Sequence, residues 1–457
     1  MSKTIDFFYE ISKIPRESGN EEGIANYICD FAKKRNLYYE KDKYNNVIIK
    51  KKNSEKSPII LQAHLDMVCE KENGLEFDFP KDPIEVFESD GYLKAKGTTL
   101  GADNGIGVAQ ILNILDSDVK CNIEAVFTVS EETTMIGAEN IDLSSLKGKE
   151  MINLDGFEEN TIIIESASFF DIILKSNYEF KSTGASNVYK ISLQGLEGGH
   201  SGFDIDKNRG NASVILAELL RKIENVELIN FIGGTKFNVI PSSAECIIFS
   251  TESKQKVENI IEEFIKAYKE KYNNLKIYFK EDELSKENLK YLNKIESLKI
   301  LNAISTFKHG VFYKNDNGEV TTSINLGVVN LENQEFKIGM RSSRKKEEIE
   351  CLDYIENFAK ENDLEFIIQS SQPGFETKQE SKFVQKIKKA FEKEEISNLK
   401  IKPVHITVEA GFLKEKIKDL ELAIISPKIL NAHTVNECVS VESVKKCDKW
   451  IEKILSE

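Results

Sequence analysis

A chain of 457 residues exceeds what one hydrophobic core usually organises, so we expect two domains. Hydrophobic residues make up 40% and charged residues 30%, which is typical of a soluble globular enzyme. The net charge is −14, with Lys and Arg interleaved among the acidic residues, which argues against nucleic acid or an anionic membrane surface as a partner.

The sequence lacks the usual signals for secretion and membrane insertion. No apolar run approaches the ~18 residues of a membrane helix, and the opening stretch MSKTIDFFYEISK has no continuous apolar core. The seven cysteines form no C-x-x-C pair, which argues against a disulfide framework or a zinc ribbon. We therefore expect a cytoplasmic protein with free thiols.

The first element that indicates chemistry is a predicted strand at residues 59–61, which continues as LQAHLDMVC. Its β-branched, apolar residues favour a strand buried on both faces of a parallel sheet. It leads to His64 and Asp66, which lie two residues apart and so should face the same side. An imidazole beside a carboxylate at a strand end favours a metal site, and a polar strand end is the alternative.

The next motif is GTTLGADNGIGVAQILNIL, which starts at residue 97. Apolar residues at 108, 111, 112 and 115 predict a helix that begins near Asn104. Glycines at 101, 105 and 107 permit a tight turn before it. Asp103 would then lie at a helix N-terminus, where the dipole favours an anion. The alternative role of Asp103 is a simple N-cap.

Two further buried strands are predicted to end in acidic residues. Residues 123–129 lead to Glu131 and Glu132, and residues 151–154 lead to Asp155. Adjacent carboxylates in an extended chain point in opposite directions, so we expect Glu131 and Glu132 to have different roles. Ligands of open α/β sheets bind at the carboxyl ends of the strands, and three such endings in order predict a functional site.

These residues, with a late histidine, suit two metal ions. Two imidazoles and three carboxylates favour zinc, manganese or cobalt over calcium. Five ligands are too many for one catalytic zinc, but Asp103 could bridge two ions. His64 and Asp155 would complete one ion, and Glu132 and His433 the other. Each ion would keep an open position for a shared water, which predicts a hydrolase.

Two neighbouring carboxylates would assist these ligands. Glu131 lies beside a ligand and faces the other way, so it could accept the proton of that water. Asp66 could hold the imidazole of His64 in its metal-binding tautomer.

From about residue 173 to about residue 372 the pattern changes to polar, alternating strands and charged helices. A weak strand–helix–strand repeat, offset by about ninety residues, predicts a duplicated α+β domain. We therefore predict an α/β catalytic domain (residues 1–172 and 373–457) with a mixed, mostly parallel sheet flanked by helices. An α+β domain with internal duplication (residues 173–372) is inserted in it.

The inserted domain contains the motif GGHSG. His200 of this motif could donate a hydrogen bond to a developing oxyanion, and a turn histidine that caps a helix is the alternative.

Together, the segments HLD, GTTLGADNGIGVA, SEE, NLDG, GGHSGFDIDKNRGNA and AHTVNE resemble the aminoacyl-histidine dipeptidases. These are dinuclear metal exopeptidases of the peptidase D type, also called cytosolic non-specific dipeptidases. The resemblance runs from about residue 14 to the C-terminus, and GTTLGADNGIG is more typical of this branch than of related tripeptidases or deacylases. It implies a cytoplasmic zinc-dependent hydrolase of dipeptides, with an inserted lid domain that also forms a homodimer.

The resemblance also implies residue roles in the catalytic domain. Glu131 would be the general base and Asp66 its companion. The metal ligands would be the same five residues: His64, Asp103, Glu132, Asp155 and His433.

In the lid, the resemblance implies that His200, Asn238 and Arg341 bind the substrate. Arginine suits the C-terminal carboxylate of a dipeptide because its guanidinium binds a carboxylate bidentately, and Arg344 could substitute for it. His405 and Glu409, in VHITVEAG, resemble a segment near the active centre, and we predict that Glu409 binds substrate.

Some positions depart from the family pattern. Residues 165–168 replace a small, glycine-rich turn, His309 replaces an asparagine, and VHITVEAG is altered. No metal ligand is lost, so these departures affect only the predicted side-chain preference. The alternatives are an amidohydrolase of N-acyl amino acids on the same scaffold and a non-catalytic peptide-binding protein. A serine hydrolase is disfavoured because the sequence has no G-x-S-x-G motif.

Overall fold

The computed structural model describes residues 2–183, 187–281, 289–393 and 398–456. The chain divides into two compact units. The first comprises Met1–Ser166, Pro373–Val404 and Val408–Glu457, and the second comprises Ala167–Gln372 and His405–Thr407. The second unit begins before the predicted boundary at residue 172, because the strand Ser168–Lys175 pairs with strands of that unit.

The helices and strands are numbered in chain order. The helices are α1 (Lys3–Ile11), α2 (Glu22–Lys34), α3 (Ala102–Asp116), α4 (Ile136–Asn140), α5 (Ala212–Leu220), α6 (Lys254–Tyr268), α7 (Lys294–Thr306), α8 (Lys345–Glu361), α9 (Lys382–Glu392), α10 (Ala410–Lys416) and α11 (Val441–Ser456). The strands are β1 (Tyr38–Lys41), β2 (Val47–Lys51), β3 (Ile59–His64), β4 (Val86–Ser89), β5 (Tyr92–Ala95), β6 (Ile123–Thr128), β7 (Glu150–Asn153), β8 (Thr161–Ser166), β9 (Ser168–Lys175), β10 (Lys181–Thr183), β11 (Val188–Gln194), β12 (Gly199–His200), β13 (Glu227–Gly233), β14 (Val239–Ile240), β15 (Ala244–Phe249), β16 (Lys276–Glu281), β17 (Leu289–Tyr291), β18 (Gly310–Lys314), β19 (Val320–Asn330), β20 (Glu335–Ser342), β21 (Glu365–Gln372), β22 (Phe375–Glu376), β23 (Lys400–Val404), β24 (Glu421–Ile424), β25 (Ile429–Leu430) and β26 (Cys438–Ser440).

The first unit is built on a mixed sheet with a parallel centre. Its strand order is β1-β2-β6-β3-β7-β24-β8-β22, and β23 also pairs with β8. The central strands β6, β3, β7 and β24 run parallel to one another, whereas β1, β2 and β22 pair antiparallel. The predicted α/β class is confirmed, with the parallel strands in the middle of the sheet rather than throughout it.

The parallel strands are buried on both faces, as their apolar sequences predict. All residues of β3 and β6 are buried, and on one face their alternate residues pack in a hydrophobic cluster with helices that include α1, α2, α3, α9 and α11. On one side, the ring of Phe391 in α9 stacks on Trp450 of α11 at a centroid distance of 4.3 Å. This packing holds the strands rigidly, so the positions of residues at their carboxyl ends are well defined.

A small antiparallel sheet of order β25-β26-β5-β4 completes the first unit. The loop between β25 and β26 carries His433, whose φ is +64°. The pairing of β26 with β5, with Val439 opposite Leu93, anchors this loop from its C-terminal side.

The second unit contains a mainly antiparallel sheet that is duplicated internally. Its strand order is β16-β11-β15-β13-β19-β20-β9-β21, with β18 paired to β19. In one half, β15 and β16 flank β11 and are joined by α6, and in the other β20 and β21 flank β9 and are joined by α8. The predicted strand–helix–strand units therefore exist, but their two strands enclose a third strand instead of pairing with each other.

The two halves meet where β13 pairs with β19, a contact that we call the seam. The seam consists of two residue pairs, Ile232 with Asn330 and Gly233 with Val329. It is short compared with the pairings inside each half, such as the eight pairs between β20 and β9.

Two predictions about the whole chain concern membranes and thiols. In the described ranges, no helix combines the length and apolarity needed to cross a bilayer. All seven cysteines are free, as predicted.

His309 precedes β18 in the second unit and is held as a neutral imidazole. Its Nδ1 accepts hydrogen bonds from the Leu326 amide and the Asn211 side-chain amide, both at 3.3 Å. Burial lowers the pKa of His309 to about 4. A proton on Nδ1 would displace both donors, so the folded protein binds a proton here less readily than the unfolded chain.

We therefore expect the free energy of unfolding to decrease as the pH falls from about 6.5 to about 4, because the unfolded chain takes up a proton at His309 first. His309→Asn keeps an oxygen acceptor for both donors and removes the titration. Its loss of stability between pH 7.5 and pH 4.5, measured by urea unfolding, should be smaller by about 2 kcal/mol. Equal losses in the two proteins would contradict this origin.

Candidate metal centre

Three parallel strands of the first unit lead to one cluster of imidazole and carboxyl groups. His64 ends β3, Asp155 follows β7, and the turn after β6 carries Glu131 and Glu132. Parallel strands present their carboxyl ends at the same edge of the sheet. Ligand atoms of His64, Glu131 and Asp155 all lie within 4.8 Å of one another, as do those of His64, Asp103 and Glu132.

Asp103 contacts both halves of this cluster. Its Oδ1 lies 3.1 Å from Nε2 of His64, and its Oδ2 lies 2.9 Å from Nε2 of His433. The His64 Nε2 is also 3.7 Å from Oδ1 of Asp155, and the His433 Nε2 is 3.1 Å from Oε1 of Glu132. Each oxygen of Asp103 therefore faces a different pair of one histidine and one carboxylate.

The backbone around Asp103 is not helical, although it lies at the start of α3. Asp103 has φ −80° and ψ 110°, and the peptide bond to Asn104 is cis. The side-chain amide of Asn104 donates to the carbonyl of Leu154 and to Oδ1 of Asp155, both at 3.0 Å. Regular helix thus begins after Asn104, and Asp103 projects from the segment that precedes it.

The prediction that Glu131 and Glu132 lie in extended chain is wrong. Ser130 has φ +58°, and the amides of Thr134 and Met135 donate to its carbonyl, so the two glutamates lie in a tight turn. Both side chains lie within 4.8 Å of His64, Glu131 in a group with Asp155 and Glu132 in a group with Asp103, and Glu132 also lies 3.1 Å from His433. The turn, rather than strand alternation, separates them.

Asp66 organises both this turn and His64. Its Oδ1 accepts from the amide of Glu131 at 3.0 Å, and its Oδ2 from the amide of Glu132 at 3.1 Å and the hydroxyl of Ser18 at 2.7 Å. Nδ1 of His64 lies 3.3 Å from Oδ1 of Asp66, so Nε2 is the nitrogen that faces Asp103. The role of Asp66 beside His64 stays a prediction.

The carboxyl groups perturb one another strongly. Burial, followed by the charge of Asp155, raises the pKa of Glu131 well above its usual value. Burial and the charge of Asp103 likewise raise the pKa values of Glu132 and Asp155. Hydrogen bonds to Asp103 and Glu132 raise the pKa of His433 to about 11. The metal-free cluster therefore retains protons that bound cations would replace.

The composition of the cluster fits divalent ions that prefer nitrogen and oxygen ligands. Within the described ranges, its carboxylates form ion pairs with His64 and His433 but with no Lys or Arg. Buried carboxylates need a compensating positive charge, and two histidines supply too little for four acidic groups. The donor set suits zinc, manganese or cobalt.

In the second unit, His200 lies at the end of β12 as a neutral imidazole. Its Nδ1 accepts from the amide of Gly202 at 3.1 Å, and its own amide donates to Asp204 at 2.8 Å. Burial and the charge of Arg341 lower the pKa of His200 to about 4. Because Nδ1 accepts, Nε2 carries the hydrogen and can donate to another molecule.

The structure brings the other predicted residues of the second unit close to His200. Arg341 is buried, its guanidinium donates to Thr407 at 3.1 Å and lies 4.3 Å from the ring centroid of Phe169. Burial lowers the pKa of Arg341 to about 10, so it stays charged at neutral pH. The carbonyl of Asn238 accepts from the amide of Ser201, beside His200.

The two predicted residues of VHITVEAG, His405 and Glu409, belong to different units. Nε2 of His405 lies 2.7 Å from Oγ of Ser323 in the second unit. Glu409 is fully buried in the first unit, where its Oε1 accepts from Nε2 of Gln62 at 2.5 Å and from the hydroxyl of Thr128 at 2.6 Å. Glu409 thus joins β3 to β6 below the cluster, and its role in substrate binding stays a prediction.

Sequence reasoning assigned no role to two charged residues at the centre. Arg16 and Glu437 are both buried, and both hydrogen-bond to the backbone of the segment before Asp103. Glu437 belongs to the quoted AHTVNE motif, four residues after His433, and this spacing was the only available signal. Arg16 lies in a turn with no recognisable motif.

The sequence model of "Peptidase family M20/M25/M40" matches residues 60–457. The chain belongs to this family. Its resemblance to the aminoacyl-histidine dipeptidases is also confirmed, because individual M20 members of that type match the whole chain.

The cytosol non-specific dipeptidase of Escherichia coli K12 is 30% identical over 471 aligned residues, covering 99% of this chain and 96% of that protein. The crystal structure of aminoacylhistidine dipeptidase from Vibrio alginolyticus has a TM-score of 0.87 at 26% identity and covers 99% of this chain and 96% of that one. Aminopeptidase PepT from Bacillus cereus shares the fold, with a TM-score of 0.53 at 15% identity. The match covers 99% of this chain and 97% of that one.

The buried Glu409 generates a prediction about stability. Burial raises the pKa of Glu409 to about 7, so between pH 4.5 and pH 7 the unfolded chain loses this proton before the folded protein does. Stability contributed by the protonated form is therefore lost as the pH rises. In the metal-free protein, Glu409→Gln should raise the free energy of unfolding by about 1–3 kcal/mol at pH 8.

Urea unfolding of both proteins at pH 8 and pH 4.5 measures this effect. At pH 4.5 the two proteins should be equally stable, because both carry an uncharged side chain. A variant that is less stable than the native protein at pH 8 would show that the ionised carboxylate is needed in the fold.

Proposed function

We propose that this M20 protein is a metallo-exopeptidase that hydrolyses the peptide bond of dipeptides at a centre of two divalent ions. The observation that carries the proposal is the position of Asp103, whose two oxygens face His64 and His433 separately. A carboxylate placed in this way can bridge two ions. The dipeptidases of E. coli and V. alginolyticus, which match the whole chain, support the dipeptide as substrate.

The first unit would hold both ions through side chains only. His64 and Asp155 would hold one ion, Glu132 and His433 would hold the other, and Asp103 would contact both. We propose zinc as the native metal, with manganese and cobalt as alternatives. When bound, two such ions polarise the peptide carbonyl and lower the pKa of a water that attacks it.

Glu131 is placed to move the proton. Its carboxyl group lies within 4.8 Å of His64 and Asp155. Because His64, Asp103 and Asp155 would already give that ion three ligands, we assign Glu131 to proton transfer. As a carboxylate, it would take a proton from the attacking water and pass it to the leaving amine. Asp66 keeps this glutamate in place by accepting its amide hydrogen.

Residues of the second unit would bind the terminal carboxylate and the reacting carbonyl of the substrate. The charged guanidinium of Arg341 suits the terminal carboxylate of a dipeptide, and Nε2–H of His200 suits the oxygen that becomes negative during attack. Asn238 lies beside them as a polar contact. A free terminal carboxylate is common to dipeptides and N-acyl amino acids, but the dipeptidase relatives disfavour the amidohydrolase alternative.

We also propose a homodimer in the cytoplasm. The relative named for the cytosol and the seven free thiols support the location. The resemblance to the dipeptidase family supports the dimer. Arg341 and His200 would both contact the backbone of the substrate. Neither residue therefore decides whether the protein prefers histidine or accepts a broad range of side chains.

The direct test is release of histidine from alanyl-histidine. The chelator-treated protein should be inactive, and zinc or manganese should restore activity. Glu131→Gln should lower kcat by about 10²–10⁴-fold while two metal ions remain bound, because only the proton acceptor is removed. Glu139→Gln, at an exposed position of α4, is the control and should be fully active.

Loss of metal binding in Glu131→Gln would instead make Glu131 a ligand. No hydrolysis of this or other dipeptides by the metal-loaded protein, together with hydrolysis of N-acyl amino acids, would favour the amidohydrolase.

Arg341 should determine affinity for the substrate's carboxylate. Arg341→Lys keeps the charge but removes the planar pair of donors, so KM for alanyl-histidine should rise by about 10–100-fold with a smaller change in kcat. Alanyl-histidine amide, which lacks the carboxylate, should be hydrolysed equally by both proteins. Arg344→Lys is the matched control, and a larger effect there would transfer the role to Arg344.

A further inference from the structure

Glu437 is a buried carboxylate that binds the backbone of the segment carrying Asp103. Its Oε2 accepts from the amides of Leu100 at 2.8 Å and Gly101 at 2.9 Å, and its Oε1 accepts from the amide of Asp103 at 3.2 Å. Only 3% of Glu437 is exposed. The carboxylate therefore satisfies three amides that the irregular start of α3 leaves without helical partners.

Arg16 holds the same segment from another direction. Its Nη2 donates to the carbonyl of Gly101, and its Nη1 donates to the carbonyls of Leu65 and Asp66, both at 3.1 Å. Arg16 is 2% exposed, so its charge and that of Glu437 are both removed from water. Hydrogen bonds of these two side chains connect the segments that carry His64, Asp103 and, through the chain of Glu437 itself, His433.

The backbone at Gly101 is closely packed against neighbouring side chains. Gly101 has φ +69°, and a Cβ atom there would collide with Nη2 of Arg16 and with Sδ of Met67. The backbone from Leu100 to Asp103 thus accepts a hydrogen bond from Arg16 and donates hydrogen bonds to Glu437. Neither residue contacts the cluster with its charged atoms, so each acts through the backbone.

We propose that Glu437 is a positioning residue of the metal centre, which sets the bridging carboxylate of Asp103 between His64 and His433. This inference rests on the proposed assignment of Asp103 as the shared ligand. A carboxylate is required because it only accepts, whereas the amide nitrogen of a glutamine would face one of the three backbone N–H groups. Loss of this fit would displace Asp103 from both ions together.

A purely structural glutamate in the same unit provides the control. Glu124 is 4% exposed, and its two oxygens accept from the amides of Lys147 and Gly148 at 2.9–3.0 Å. It belongs to β6 but lies near the start of that strand, whereas the cluster lies beyond its end. Glu124→Gln thus imposes the same chemical change on a similar set of bonds, away from the metal ligands.

The experiment compares metal affinity in the native protein, Glu437→Gln and Glu124→Gln. Zinc affinity is measured by competition with a chromophoric chelator at fixed pH, and the unfolding of each metal-free protein is measured alongside. Glu437→Gln should bind zinc about 10–100-fold more weakly than the native protein, as is usual when a residue that supports a ligand is changed. Glu124→Gln should bind zinc as the native protein does, even where its metal-free form is less stable.

Equal zinc affinity in all three proteins, or equal weakening in both variants, would overturn the positioning role. If Glu437→Gln is recovered unfolded, Glu437→Asp takes its place with the same expected and contrary results, because it keeps the charge and shortens the reach. Absence of zinc binding by the native protein would instead refute the metal assignment itself. This readout needs no substrate, so failure of the dipeptidase assay leaves it unaffected.

Discussion

The first unit confines several like-charged carboxyl groups to one edge of its sheet, and much of the local structure compensates for this. Asp103, Glu131, Glu132 and Asp155 lie together, with no Lys or Arg paired to them in the described ranges. Such a group is unfavourable in a protein interior unless cations or hydrogen-bond donors balance it. The arrangement is therefore understandable as a site completed by metal ions, with folding and ion binding linked.

Backbone amides are the second source of compensation. Asp66 accepts hydrogen bonds from the amides of Glu131 and Glu132. Glu437 accepts hydrogen bonds from the amides of Leu100, Gly101 and Asp103. Each of these carboxylates fixes a piece of backbone, and that backbone then fixes a carboxylate that faces the cluster. Because backbone N–H groups cannot change their protonation or their reach, they locate the cluster side chains more rigidly than mobile lysines would.

The sequence predicts the parts of this site that follow from strand periodicity. His64 and Asp155 come after apolar runs, and parallel strands must bring such endings together. The turn at Ser130 could not be predicted, because a positive φ is unfavourable for serine and depends on tertiary hydrogen bonds that stabilise it. The role of Glu437 also escapes prediction, because its partner Gly101 is 336 positions away and no local pattern records that contact.

The short seam of the second unit affects the distance between residues of its two halves. His200 belongs to one half of the duplication and Arg341 to the other. The halves are joined by the two residue pairs of the seam and by the side-chain amide of Asn325 in β19, which donates to the carbonyls of Phe237 and Val239. A one-residue shift between the halves would change the distance between the two side chains by about 3.3 Å, which is the rise of one residue in an extended peptide. The register of β13 against β19 thus contributes to the distance between His200 and Arg341.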